Sequence, residues 1–179
     1  MSPAAGRGLH STIPTRSPET TMTNVATPSH TGSDRLLFLN LPVRDVAASR
    51  SFFTGLGFDF DDRFCDETTA CLKVSEAAYV MLLEHPRFAD FTAKPLADPA
   101  TSTAALVCLS AADRDAVDAL TDSALAAGAS PAKEPMDLGF MYGRSFYDLD
   151  GHHWEVMWMS QAAVDQAGAE HAARVGADA

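Results

Sequence analysis

One carboxylate in the stretch from Phe140 to Ser160 stands where a sheet face should be buried. In the run His153-Trp154-Glu155-Val156-Met157-Trp158, alternation puts His153, Glu155 and Met157 on one face of a strand and the other three on the opposite face. A charge at the centre of so apolar a strand needs a partner or a purpose. Arg144 and Tyr142, on the run before it, are candidate partners. A guanidinium gives a carboxylate two parallel hydrogen bonds, so an Arg144 pair would either anchor the sheet or bind an acidic ligand. His153 reads either as a proton acceptor, since imidazole ordinarily titrates near neutral pH, or as a hydrogen-bonding residue at a sheet end. His152 points the other way and reads as structural or exposed.

Other reactive types are less pointed. Glu84 and His85 end an apolar run, where charge is ordinary. Cys65, Cys71 and Cys108 lack metal-finger spacing, so buried thiols in a reducing compartment are expected. Met136, Phe140, Met141 and Tyr142 around Gly139 and Gly143 form an apolar loop that would clasp a ligand or close the end of the fold.

Thirteen basic against 24 acidic residues give a formal charge of −11, which opposes binding to nucleic acid or an anionic membrane. No apolar run approaches the roughly 20 residues that span a bilayer. A soluble, cytoplasmic protein is expected. A length of 179 residues suits one domain with tails.

Residues 1–34, rich in Ser, Thr, Pro and Gly, read as a disordered extension without a secretory signal. Next come a strand at Leu36–Leu41 ending at Pro42, a helix capped by Asp45 and stopped by Gly55 and Gly57, and β-like runs near 58–61, 70–74 and 79–84. A proline-rich connector spans residues 85–103 and reads as a linker or a flap over a pocket. The order then restarts with a strand at 105–109, a helix capped by Asp113 and ended by Gly128, a weak edge strand at 130–135, and the two strands of the opening stretch. Asp45 and Asp113 lie 68 residues apart, as do Leu41 and Leu109. Such a repeat predicts an α+β domain over 35–160, built from two paired βαβββ modules (about 35–84 and 104–160) forming a curved half-open barrel with helices outside. Residues 161–179 are left as a C-terminal tail.

Asn40-Leu41-Pro42-Val43-Arg44-Asp45, Ser51-Phe52-Phe53, Gly55-Leu56-Gly57-Phe58 and the final Phe146 to Glu155 segment resemble the vicinal oxygen chelate superfamily of glyoxalase, bleomycin-resistance and extradiol-dioxygenase proteins. The resemblance covers about residues 35–160. It implies a homodimer with a small-molecule ligand in a concave cavity, and, in the metal-dependent enzymes, four ligands from the first and last strands of the two modules. The divalent metal acts there as a Lewis acid. Glu155 matches one ligand position; the other three fall on Phe38, Leu82 and Leu106, which cannot ligate. A shifted site would use Asn40, Glu84 and Glu155, with Cys108 replacing Asn40 in a variant of it.

Two functions follow. One is a glyoxalase (lyase) or dioxygenase-type enzyme, with Glu155 as metal ligand or base and Arg144, Tyr142 and His153 orienting an oxygen-rich substrate. The other is a metal-free binding or sequestering module of the resistance type, with Phe38, Leu82 and Leu106 lining its cavity.

Overall fold

The structure, a computed structural model, describes residues 35–177. The expected disordered extension lies outside the described residues. Two four-stranded sheets form, each with its first and last strands parallel and neighbouring. In the first, β1 (Leu37–Val43), β4 (Ala78–Glu84), β3 (Thr69–Lys73) and β2 (Asp59–Phe60) lie in that order. The second repeats it with β5 (Leu106–Ser110), β8 (His153–Met159), β7 (Met141–Tyr147) and β6 (Ser130–Asp137). The sheets do not close on each other, which is the half-open arrangement predicted from the repeat.

Local chemistry sets the two main helices. Asp45 and Asp113 take extended backbone and accept from Ala48 N at 2.9 Å and Ala116 N at 2.8 Å, capping α1 (Val46–Gly55) and α3 (Arg114–Ala126). Just past α3, Gly128 has φ of 105°, a left-handed stop that side chains resist. The connector differs from the expected irregular linker at its start, where Pro86 sits in the first turn of a short helix, α2 (His85–Ala89). β1 also runs through Pro42 to Val43 instead of ending there. As an edge strand, β1 tolerates a residue without an N–H. After β8 the chain forms α4 (Gln161–Ala177).

One core serves both modules. Leu41, Val43, Phe52, Phe53 and Leu82 join Val117, Phe146, Trp154 and Val156 in a single buried cluster. Phe53 packs 4.9 Å from Trp154 between ring centroids, and Phe52 lies 6.4 Å from Phe146. Such aromatic pairs contribute roughly 0.5–1.5 kcal/mol beyond their burial. Polar contacts lock the same junction. Arg44 donates from its backbone N and from Nε to Asp150 Oδ1 at 2.9 Å each, and from Nη2 to the Leu149 carbonyl. Ser49 Oγ donates to Asp150 Oδ2, and His152 Nε2 meets the Pro42 carbonyl at 2.7 Å.

Candidate functional site

Each sheet buries one face in that core and turns the other, its inner face, away. On β8, Trp154 and Val156 are fully buried, whereas His153, Glu155 and Met157 take the inner face, as alternation predicted. Parallel pairing sets Leu106 beside His153 and Cys108 beside Glu155, while antiparallel pairing sets Ser145 on Glu155's other side. Lys133 follows next to Ser145. The four strands of module two therefore carry a row of Cys108, Glu155, Ser145 and Lys133.

Glu155 is half-buried, and among the described residues no side chain hydrogen-bonds or ion-pairs with it. It borders a hollow of about 150 Å³ with Lys133, Met136, Gly143, Ser145 and Met157. Gly143 forms part of the floor, and a Cβ there would meet only ordinary contacts with Val156 and Met157 at 3.5–4.0 Å. Neither backbone nor packing requires glycine there. Burial, and then the charge of Glu155, pushes the Cys108 thiol up, so Cys108 is no ready nucleophile.

Several expected site residues lie elsewhere. Arg144 and Tyr142 sit on the core-side face of β7, opposite Val156 and Trp158, so they do not reach Glu155. Arg144 instead pairs with Asp118 and Asp122 at 2.9 and 2.8 Å, and the Tyr142 hydroxyl donates to Asp118 at 2.8 Å. The Tyr142 hydroxyl and the Arg144 guanidinium hold the Asp118 carboxyl below its usual range, anchoring α3 to the sheet. Leu82 is wholly buried in the core, not in the cavity. Glu84 shares Leu82's side of β4 and precedes α2, so the shifted metal site loses that member.

Phe38 and Asn40 do lie on the inner face of module one. Phe38 is 43% exposed and stacks on Tyr79 at 5.1 Å; Asn40 opposes Met81. Asn40, Met81, Leu83, Phe64 and Cys65 line a cavity of about 270 Å³. Leu106 is 57% exposed. Asn40 and His153 come together in a third cavity, about 250 Å³, between β1 and residues 97–105. His153 stands edge-on to Tyr147 at 5.1 Å, and its Nε2 is sealed from solvent without a hydrogen-bond partner.

Residues 34–156 match the Glyoxalase/Bleomycin resistance protein/Dioxygenase superfamily. The chain belongs to this superfamily. No curated protein matches it. Among solved structures it is similar to hypothetical protein SA1046 from S. aureus, at 26% identity and TM-score 0.60, covering 68% of this chain and 92% of that one. A glyoxalase/bleomycin resistance protein/dioxygenase family enzyme from Burkholderia phytofirmans PsJN aligns at 20% identity and TM-score 0.59, over 70% and 98% of the two chains. The fosfomycin resistance protein FosX from Listeria monocytogenes aligns at 16% and 0.52, over 71% and 94%. These last two show the shared fold.

Within this superfamily's frame, the parallel strand pairs offer Asn40 with Met81 and Cys108 with Glu155. One amide, one thioether, one thiol raised by burial and one carboxylate are not the set of hard oxygen and imidazole donors that retains a catalytic divalent ion. No group of three or more His, Cys, Asp or Glu side chains stands ready for a metal among the described residues. Met81, the counterpart of Glu155 in module one, escaped the sequence reading because β4 is apolar on both faces. Ser145 and Lys133 escaped it because their place depends on register, and Gly143, expected in an apolar loop, lies instead within β7 opposite Met157.

Proposed function

We propose that this chain is a metal-free small-molecule binding or sequestering module of its superfamily, with the module-two hollow around Glu155 as the polar end of its site. The unpaired, half-buried Glu155 carboxylate carries this reading. A carboxylate so placed is open to a ligand that donates to it, and the methionines beside it supply an adaptable apolar wall.

In this reading the protein is a homodimer. Phe38, Leu106, Met136 and Met159 expose apolar surface on the inner faces, which a second copy would cover. Size-exclusion chromatography with light scattering should give twice the chain mass; a monomer at micromolar concentration ends that part of the reading.

The binding test is thermal stability titrated with nickel, zinc, manganese and ferrous ions and, separately, with small oxygen-bearing molecules. A ligand at about 100 times its dissociation constant adds about 2.7 kcal/mol. The expected result is no metal-dependent shift, together with organic ligands whose shift is lost in Glu155→Gln. Stoichiometric metal retained by the parent and lost in Glu155→Gln would overturn the proposal in favour of a lyase- or dioxygenase-type metalloenzyme.

A further inference from the structure

The first module holds two cysteines joined by one hydrogen bond, from the backbone of one to the sulfur of the other. Cys71, in β3, is fully buried, and its backbone N donates to Cys65 Sγ at 3.2 Å, while Cys65 Sγ donates to the Asp61 carbonyl at 3.3 Å. Cys65 ends the one-turn 3-10 helix Asp62–Phe64, so its sulfur takes the place of a strand carbonyl where the β2–β3 ladder stops. With an N–Cα bond of about 1.5 Å, the 3.2 Å contact puts the Cys65 sulfur within about 5 Å of the Cys71 Cα. A disulfide needs Cβ atoms about 3.5–4.5 Å apart; side-chain rotation turns the two sulfurs toward each other, and movement of the 61–66 segment would set the Cβ separation.

We propose that Cys65 and Cys71 are a peroxide-responsive thiol pair that closes to a reversible intramolecular disulfide. Reactive cysteines are partly exposed to solvent. Cys65 is half-buried, lines the 270 Å³ cavity and can be reached through it. Arg50 stands nearby: its pKa is pushed up mainly by Asp62 and in smaller part by the Cys65 sulfur. Cys71 is the second thiol, held back by burial, which pushes it up.

The Cys65 thiolate attacks one oxygen of hydrogen peroxide; the O–O bond breaks, an S–O bond forms, and hydroxide leaves as water after taking a proton. Cys71 then gives up its proton and attacks the Cys65 sulfur; the S–O bond breaks, the S–S bond forms, and water leaves. The sulfur pair loses two electrons and the peroxide gains them. A dithiol reverses the change. The bridge would tie the 61–66 segment to β3 and so fix Phe64 over the cavity.

The test uses the full chain carrying Cys108→Ser, exposed to hydrogen peroxide, alkylated with iodoacetamide and digested with trypsin without reductant. Both thiols fall in one peptide, Phe64 to Lys73. The expected product is that peptide unalkylated and two hydrogens lighter, restored by dithiothreitol, and formed at least about tenfold faster in the folded chain than in urea. Full alkylation after peroxide, an added oxygen on one sulfur with the other still alkylatable, or equal rates folded and unfolded would each overturn it. Cys65→Ser and Cys71→Ser should each abolish the lighter peptide. The folded-against-urea comparison decides the matter even if neither variant folds.

Discussion

The two modules share one topology and one register, yet their inner faces have gone different ways. Asn40 opposes Met81 in the first, and Cys108 opposes Glu155 at the same place in the second. Module one roofs its face with its own chain: Leu83 and Cys71 are buried there, and Phe64 and Phe91 line the cavity above. Module two leaves its face open, with Leu106 and Met159 exposed. The fold therefore depends on the outer faces, which meet in one shared core, and the inner faces are free to become packing in one module and a binding surface in the other.

Substitution on the outer face should break both modules at once. Phe53 is 1% exposed and meets Phe52, Phe58 and Trp154, so Phe53→Ala should cost about 3–5 kcal/mol in a single cooperative urea transition. Leu106→Ala, on the open inner face, should stay within about 1 kcal/mol. Equal costs would erase the distinction between the faces.

The turns sharpen the contrast next. In module two, Asp148 is buried and accepts from Trp154 Nε1 at 2.9 Å and from the backbone N of Asp150 and His152 at 3.0 and 2.9 Å. In module one, Ser75 Oγ accepts only from Ala77 N at 3.2 Å. Asp148→Ala strands three donors and should cost about 2–3 kcal/mol, against under about 1 kcal/mol for Ser75→Ala. Burial pushes the Asp148 carboxyl up, with His152 opposing it, so the folded chain holds that proton more tightly than the unfolded one. Its contribution is greatest at acid pH and declines as pH rises through the raised pKa. Urea midpoints of Asp148→Asn should lack that decline; a parallel pH profile would assign it to another group.

Much of this was legible in the sequence where the cause is local. Asp45 and Asp113 cap helices, Gly128 stops one, and the 68-residue spacing gave the paired modules. Glu155 and His153 were placed on the correct face because a charge in an apolar strand makes alternation visible. On β4 every residue from Tyr79 to Leu83 is apolar, so nothing marked Leu82 as core and Met81 as inner face. Arg144 was misplaced for another reason. Ser145, not Arg144, lies opposite Glu155, and a one-residue difference in antiparallel register moves a side chain to the other face.

The smallest effect concerns how each helix is tied to its sheet. In module two, Arg114 holds Asp137 at 2.6 Å and lies over the Tyr142 and Trp158 rings at 5.0 and 5.3 Å; in module one, Arg50 holds Asp62 at 2.5 Å and lies over Phe60 at 4.9 Å. The Arg114 guanidinium, then the Gly139 backbone N–H, lowers Asp137 from 3.8 to about 2. A carboxyl depressed by folding contributes stability above its unfolded pKa and loses it as pH falls through its folded one. That window runs from about pH 4 down to about pH 2. Both partners are solvent-exposed and screened by salt, so only a small part of the acid slope belongs to them. Asp137→Asn should remove that part at low ionic strength, and the difference from the parent should shrink in molar salt. If it persists in salt, the packing of Arg114 on Tyr142 and Trp158, not its charge, is what ties α3 to its sheet.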